Sequence, residues 1–98
     1  MTQKSAFYAI GLILADNQYG QTMPPNCTSF EFQCRENHDI RWSMYPGHVG
    51  APTYPTFMTL KAGGYYYSPT LDDDAPTPTP YFAGDHVGDT VEVIAWYD

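Results

Sequence analysis

Three histidines, eleven carboxylates and two cysteines are the side chains of this 98-residue chain that could bind a metal or move a proton. His38-Asp39 and Asp85-His86, with His48 between them, have the residue types of a metal or acid–base site. Their spacing fixes no common geometry, and all three histidines fall in predicted turns, so neither a metal site nor a catalytic dyad is expected. Asp72-Asp73-Asp74 lacks the alternating ligands and central glycine of a calcium loop and reads as a solvated acidic loop. Cys27 and Cys34 would face opposite sides of one continuous strand, and without a CxxC they form no zinc site; two free thiols are expected. Ser29, Ser43 and Ser68 stand in no nucleophile motif. Glu31, Glu36 and Glu92 are formally available for glycoside hydrolysis, but so short a chain has little room for a deep cleft. The expectation is a protein that is not an enzyme, with no catalytic residue, no cofactor and no metal.

Aromatic side chains carry what remains of the functional signal. Tyr65-Tyr66-Tyr67, with Tyr54, Tyr81, Phe82, Trp42 and Trp96, could stack on sugar faces or pack against neighbouring subunits. Members of the tyrosine run must alternate between the two faces of a sheet, so only part of it can line one surface. Trp42 reads as core, and Arg41, its neighbour in an alternating strand, as surface. The candidate interface is Phe7, Tyr8, Ile10, Tyr54, Tyr65, Tyr67, Tyr81 and Phe82.

Short strands must position these residues. Ser5–Ala15 is apolar and reads as extended, and 16–26 as a loop in which Pro24-Pro25 blocks any helix. Lys4 before the apolar run has the outline of a weak signal peptide, but the run is too short to span a bilayer and lacks a small–x–small cleavage pattern. Thr28–Cys34 alternates, with Phe30, Phe32 and Cys34 on one face, and Ile40, Trp42 and Met44 repeat the pattern after a turn. These two strands are close enough to be expected as an antiparallel hairpin. Thr56–Lys61 and Tyr65–Ser68 read as short strands broken at Gly63-Gly64. Leu71–Pro80 is a proline-rich, solvated stretch, and Tyr81–Ala83 resumes a strand. Thr90–Tyr97, β-branched and aromatic on both faces, reads as a strand buried on both sides. The fold class is all-β: a single-domain β-sandwich, jelly-roll or immunoglobulin-like, with seven to eight short antiparallel strands. Residues 1–98 form one domain, with 1–26 available as an N-terminal arm or contact segment.

Charge limits the partners. Four Lys and Arg against eleven Asp and Glu give a net charge of −7, which argues against nucleic acid. Only 15% of residues are charged, low for a surface that stands alone in water, so part of it is expected to be covered by a protein partner.

From Thr28 to Asp98 the chain resembles small structural proteins of tailed bacteriophage virions. The resemblance rests on FEFQC, DIRWSMY, a Gly/Pro loop, FMTLKAGGYYYSP, the aromatic strand YFAG and the terminal TVEVIAWYD. It implies a head decoration or cement protein of β-sandwich or jelly-roll fold, docked on the major capsid protein at the outer capsid surface and assembled in the bacterial cytoplasm. The acidic Leu71–Pro80 loop and the apolar N-terminal segment depart from the family pattern. A homo-oligomer is expected, a trimer being suited to local three-fold positions of a capsid lattice, with no nucleic-acid or membrane partner. The alternative is a carbohydrate- or host-receptor-binding module on a tail or fibre.

Overall fold

The computed structural model describes residues 3–50, 56–72 and 76–98. Among them are eight strands and no helix: β1 (Lys4–Leu12), β2 (Tyr19–Gly20), β3 (Cys27–Cys34), β4 (Ile40–Ser43), β5 (Met58–Leu60), β6 (Tyr66–Tyr67), β7 (Tyr81–Gly84) and β8 (Asp89–Tyr97). They form two antiparallel sheets, ordered β1-β8-β3-β6 and β2-β7-β4-β5. β1 pairs with β8, β2 with β7, β3 with β6 and β4 with β5. The chain is thus one long antiparallel hairpin, rolled until β3 also meets β8 and β4 also meets β7. That order is a jelly roll, and it removes the immunoglobulin-like option.

Rolling overturns the expected β3–β4 hairpin, since the two strands lie in different sheets. β3 has eight residues and β4 four, so pairing them would leave half of β3's backbone groups without a ladder. The nine-residue β8 satisfies β3 along its length instead. The chain crosses between sheets through residues 35–39, where Asn37 takes a φ of 64°, a left-handed conformation that Asn tolerates. The β5–β6 crossing uses Gly63 at φ 79° for the same reason.

The core comes from alternate residues of both sheets. Ile10 and Leu12 of β1, Phe30 and Phe32 of β3, and Val91, Val93 and Ala95 of β8 face Ile40, Trp42 and Phe82. Phe32 is its centre, in edge contact with Phe82 at 4.9 Å and Trp42 at 5.2 Å between ring centroids. Trp42 is core, as its place in the alternation predicts.

Several finer expectations are corrected. β8 is central in its sheet but buried on one face only: Val91, Val93 and Ala95 are buried, whereas Thr90, Glu92, Ile94 and Trp96 are half-buried. Leu71–Pro80 is not wholly solvated, because Leu71 packs on the core and the Pro78 and Pro80 carbonyls accept from the Met23 and Gln21 amides. Proline cannot donate to a ladder but still accepts, so this stretch continues the β2–β7 edge. Asp73 and Asp74 of the acidic run lie outside the described residues, and Asp72 is exposed. Residues 4–12 are no detached arm: β1 pairs with β8 at all nine positions. Both thiols are free. A bulge between Cys27 and Ser29 turns Cys27 toward the core along with Cys34, at opposite ends of a strand about 25 Å long. Burial pushes the Cys27 thiol pKa up, partly offset by hydrogen bonding with the Ser29 backbone.

Arg41 is the largest correction. It faces away from Trp42 as alternation requires, yet it is only 6% exposed. The loop after β4 folds back over this face, burying Val49, whose carbonyl accepts from Arg41 Nε at 2.9 Å. The other guanidinium nitrogens donate to Asp85 at 2.8 Å and Asp16 at 2.6 Å. Burial alone would lower the Arg41 pKa; the hydrogen bonds it donates to Asp16 and Asp85 more than offset that and hold the pKa above its ordinary value.

Candidate interaction surface

Strand register builds a row across the outer face of the β1-β8-β3-β6 sheet. Phe7 lies opposite Ile94, Ile94 opposite Glu31, and Glu31 opposite Tyr67. Neighbouring strands are about 4.8 Å apart, so the four side chains form one continuous band. Trp96, on the same face of β8, sits between Ser5 and Ser29 in the adjoining row. Phe7 is 72% exposed and Tyr67 68%. Tyr65 packs against Tyr67 with ring centroids 4.7 Å apart and planes inclined by 43°.

Glu31 holds this face together. Its Oε1 accepts from the Tyr65 hydroxyl at 2.6 Å and its Oε2 from Trp96 Nε1 at 3.1 Å. The carboxylate therefore ties the Tyr65 and Trp96 rings to one point of the sheet face. Burial pushes the Tyr65 phenol up to about 12, with the Glu31 hydrogen bond as the next cause. At the edge of the band, Glu92 accepts from Arg35 Nε and Gln33 Nε2, each at 3.0 Å, and Arg35 first, then Gln33, lowers its pKa. Glu31 and Glu92 thus serve as acceptors on an open sheet face. Flat rings, an aliphatic side chain and satisfied carboxylates suit stacking and docking, and the face presents no activated nucleophile.

Of the expected interface residues, Phe7, Tyr65 and Tyr67 come together here. Ile10 and Phe82 do not belong to any surface, being 8% and 0% exposed. Tyr8 is half-buried and packs on the core from the inner face of β1. Tyr81 is half-buried in the other sheet, where its ring covers Gly20 so closely that a Cβ there would meet it at 2.8 Å. Tyr54 lies outside the described residues. Sequence reading missed Ile94 and named Trp96 in the aromatic cluster without placing it in the candidate interface, although their parity along β8 separates both from Val91, Val93 and Ala95.

Two other groupings stand apart. An open hollow of about 410 Å³ lies beside the β4–β5 connection, lined by Tyr45, His48, Phe57 and Met58 among others, with Tyr45 66% exposed. His38 and His86, which their spacing leaves unrelated, are brought face to face by the loops before β4 and before β8. No helix among the described residues is long and apolar enough to cross a membrane. Comparison with protein-family models, curated proteins and solved structures finds no match to this chain.

Proposed function

We propose that this chain is a non-enzymatic virion structural protein, a decoration or cement protein that docks on the major capsid protein lattice at the outer surface of a tailed-phage head. The observation that carries this reading is the aromatic band of Phe7, Ile94, Tyr67, Tyr65 and Trp96 beside the open edge of β1. Exposed aromatic side chains in one patch mark a surface that binds protein. Among the described residues β1 is a nine-residue edge strand that pairs with a neighbour on one side only, able to add to another copy's sheet. A contact between unlike edges of identical copies closes into a ring when each copy turns by a whole fraction of a circle, and a one-third turn gives a trimer that fits a local three-fold position. The net charge of −7 keeps the protein away from packaged DNA, and the resemblance to phage virion proteins points the same way. The test is rebinding of the purified chain to capsids stripped of it, followed by sedimentation. Saturable rebinding that is lost in Phe7→Ser/Tyr67→Ser supports the proposal. Failure of the unaltered chain to co-sediment at any salt concentration overturns it.

Glycan binding on a tail or fibre is the second reading, favoured by the hollow beside Tyr45. A glycan array in which Tyr45→Ala loses a signal that Phe7→Ser keeps would favour it over capsid docking.

A further inference from the structure

The jelly roll brings two loops together at one end of the sandwich. The β3–β8 ladder ends at Cys34 opposite Val91, and the β4–β7 ladder ends at Ile40 opposite Gly84. Residues 35–39 and 85–88 therefore leave the two sheets side by side. His38 and His86 stack with ring centroids 3.8 Å apart and planes inclined by 17°. Asp89, the first residue of β8, has a side chain only 3% exposed. His38 Nδ1 lies 2.9 and 3.0 Å from its two carboxylate oxygens, the only side-chain partner of that carboxylate among the described residues.

From this arrangement we propose that His38, His86 and Asp89 form a binding site for a first-row divalent transition-metal ion, with Zn²⁺ as the reference ion. One donor atom from each residue lies within 4.8 Å of the other two. A tetrahedral ion at about 2.1 Å from each ligand needs donors about 3.4 Å apart, which small side-chain rotations supply. The donor set decides the class of ion. Two imidazoles and one carboxylate suit Zn²⁺, Co²⁺ or Ni²⁺, whereas Ca²⁺ and Mg²⁺ require oxygen ligands. The ion would lie between a nearly water-free carboxylate and an exposed ring, leaving its remaining position to water. Cys34 and Glu36 also approach Asp89. Glu36 Oε1, however, already accepts the Thr90 amide at 2.7 Å, so this pair braces the start of β8 and is not part of the site. The bound ion would tie together two loops that each cross between the sheets, 35–39 and 85–88, and ligation to the folded state alone raises stability.

The test is titration of the full chain with ZnCl₂ by calorimetry, with melting curves and Co²⁺ absorption as second readouts. His86 is exposed, so His86→Ala is expected to leave the metal-free melt unchanged. The unaltered chain should bind one Zn²⁺ and melt at a higher temperature with it, while His86→Ala should bind at least about tenfold more weakly and lose that shift. Cys34→Ser should bind as the unaltered chain does. Absence of saturable binding, undiminished binding in His86→Ala, or its loss in Cys34→Ser would each overturn the assignment.

Discussion

Arg41 sets a guanidinium that water barely reaches between two carboxylates that water reaches freely, Asp16 and Asp85 being 48% and 72% exposed. The asymmetry sets the effect of each change. Arg41→Ala lets both carboxylates rehydrate and removes packing under the Val49 loop, a loss of about 1–3 kcal/mol. Asp16→Asn with Asp85→Asn instead strands the buried cation and should cost about 3–5 kcal/mol, more than the two single changes added together. Urea denaturation of the four variants beside the unaltered protein reads both numbers. Tyr65 supplies a pH signature. Its folded pKa is raised to about 12, so the native state holds the proton more tightly than the unfolded chain. That contribution to stability is fully present below about pH 10, the ordinary phenol value, and is lost as pH rises through 12. Tyrosinate absorbance should show a late-ionising component from Tyr65, moved toward the ordinary value by Glu31→Gln. An unchanged titration in that variant would remove Glu31 as a cause.

At the scale of the strand, parity decides which aromatic side chains stabilise the fold and which are free to meet a partner. Trp42 points inward from β4 onto Phe32 and Tyr66. Trp42→Ala should cost about 3–5 kcal/mol, the range for large-to-small changes in a packed core. Phe7 points outward from β1, and Phe7→Ser should stay within about 0.5 kcal/mol of the unaltered protein. Thermal melts compare the two directly, and a large loss from Phe7→Ser would mean that its ring packs on the sheet. Removing residues 1–15 would not isolate a contact role, because Leu12 is fully buried and β1 is a full partner of β8. Such a truncation is expected to unfold the chain. The strands themselves were legible in the alternation of Thr28–Cys34 and of Ile40–Met44. β2 was not, since two residues inside a Pro/Gly-rich loop carry no period.

For the whole molecule, the pairing that closes the sheet joins Lys4 to Tyr97. Closing so long a loop is entropically costly before any contact forms, and sandwiches dominated by such pairings fold in about milliseconds to seconds. Stopped-flow refolding followed by tryptophan fluorescence should fall in that window. A phase complete in microseconds would show that β8 is not needed for the core to form around Trp42.

The amino-acid sequence by itself determined the all-β class, the approximate strand positions and the core place of Trp42. All of these follow from side chains that alternate with period two and from where Gly and Pro interrupt them. Tertiary structure alone decided which strands pair, because ladder partners are chosen by length and register between segments far apart in the chain. The burial of Arg41 was beyond reach for that reason: alternation puts it on the outer face, and only the returning Val49 loop and the distant Asp16 and Asp85 make that face an interior. So was the meeting of His38 with His86 and Asp89, residues on two loops that become neighbours only when one long hairpin rolls into two sheets.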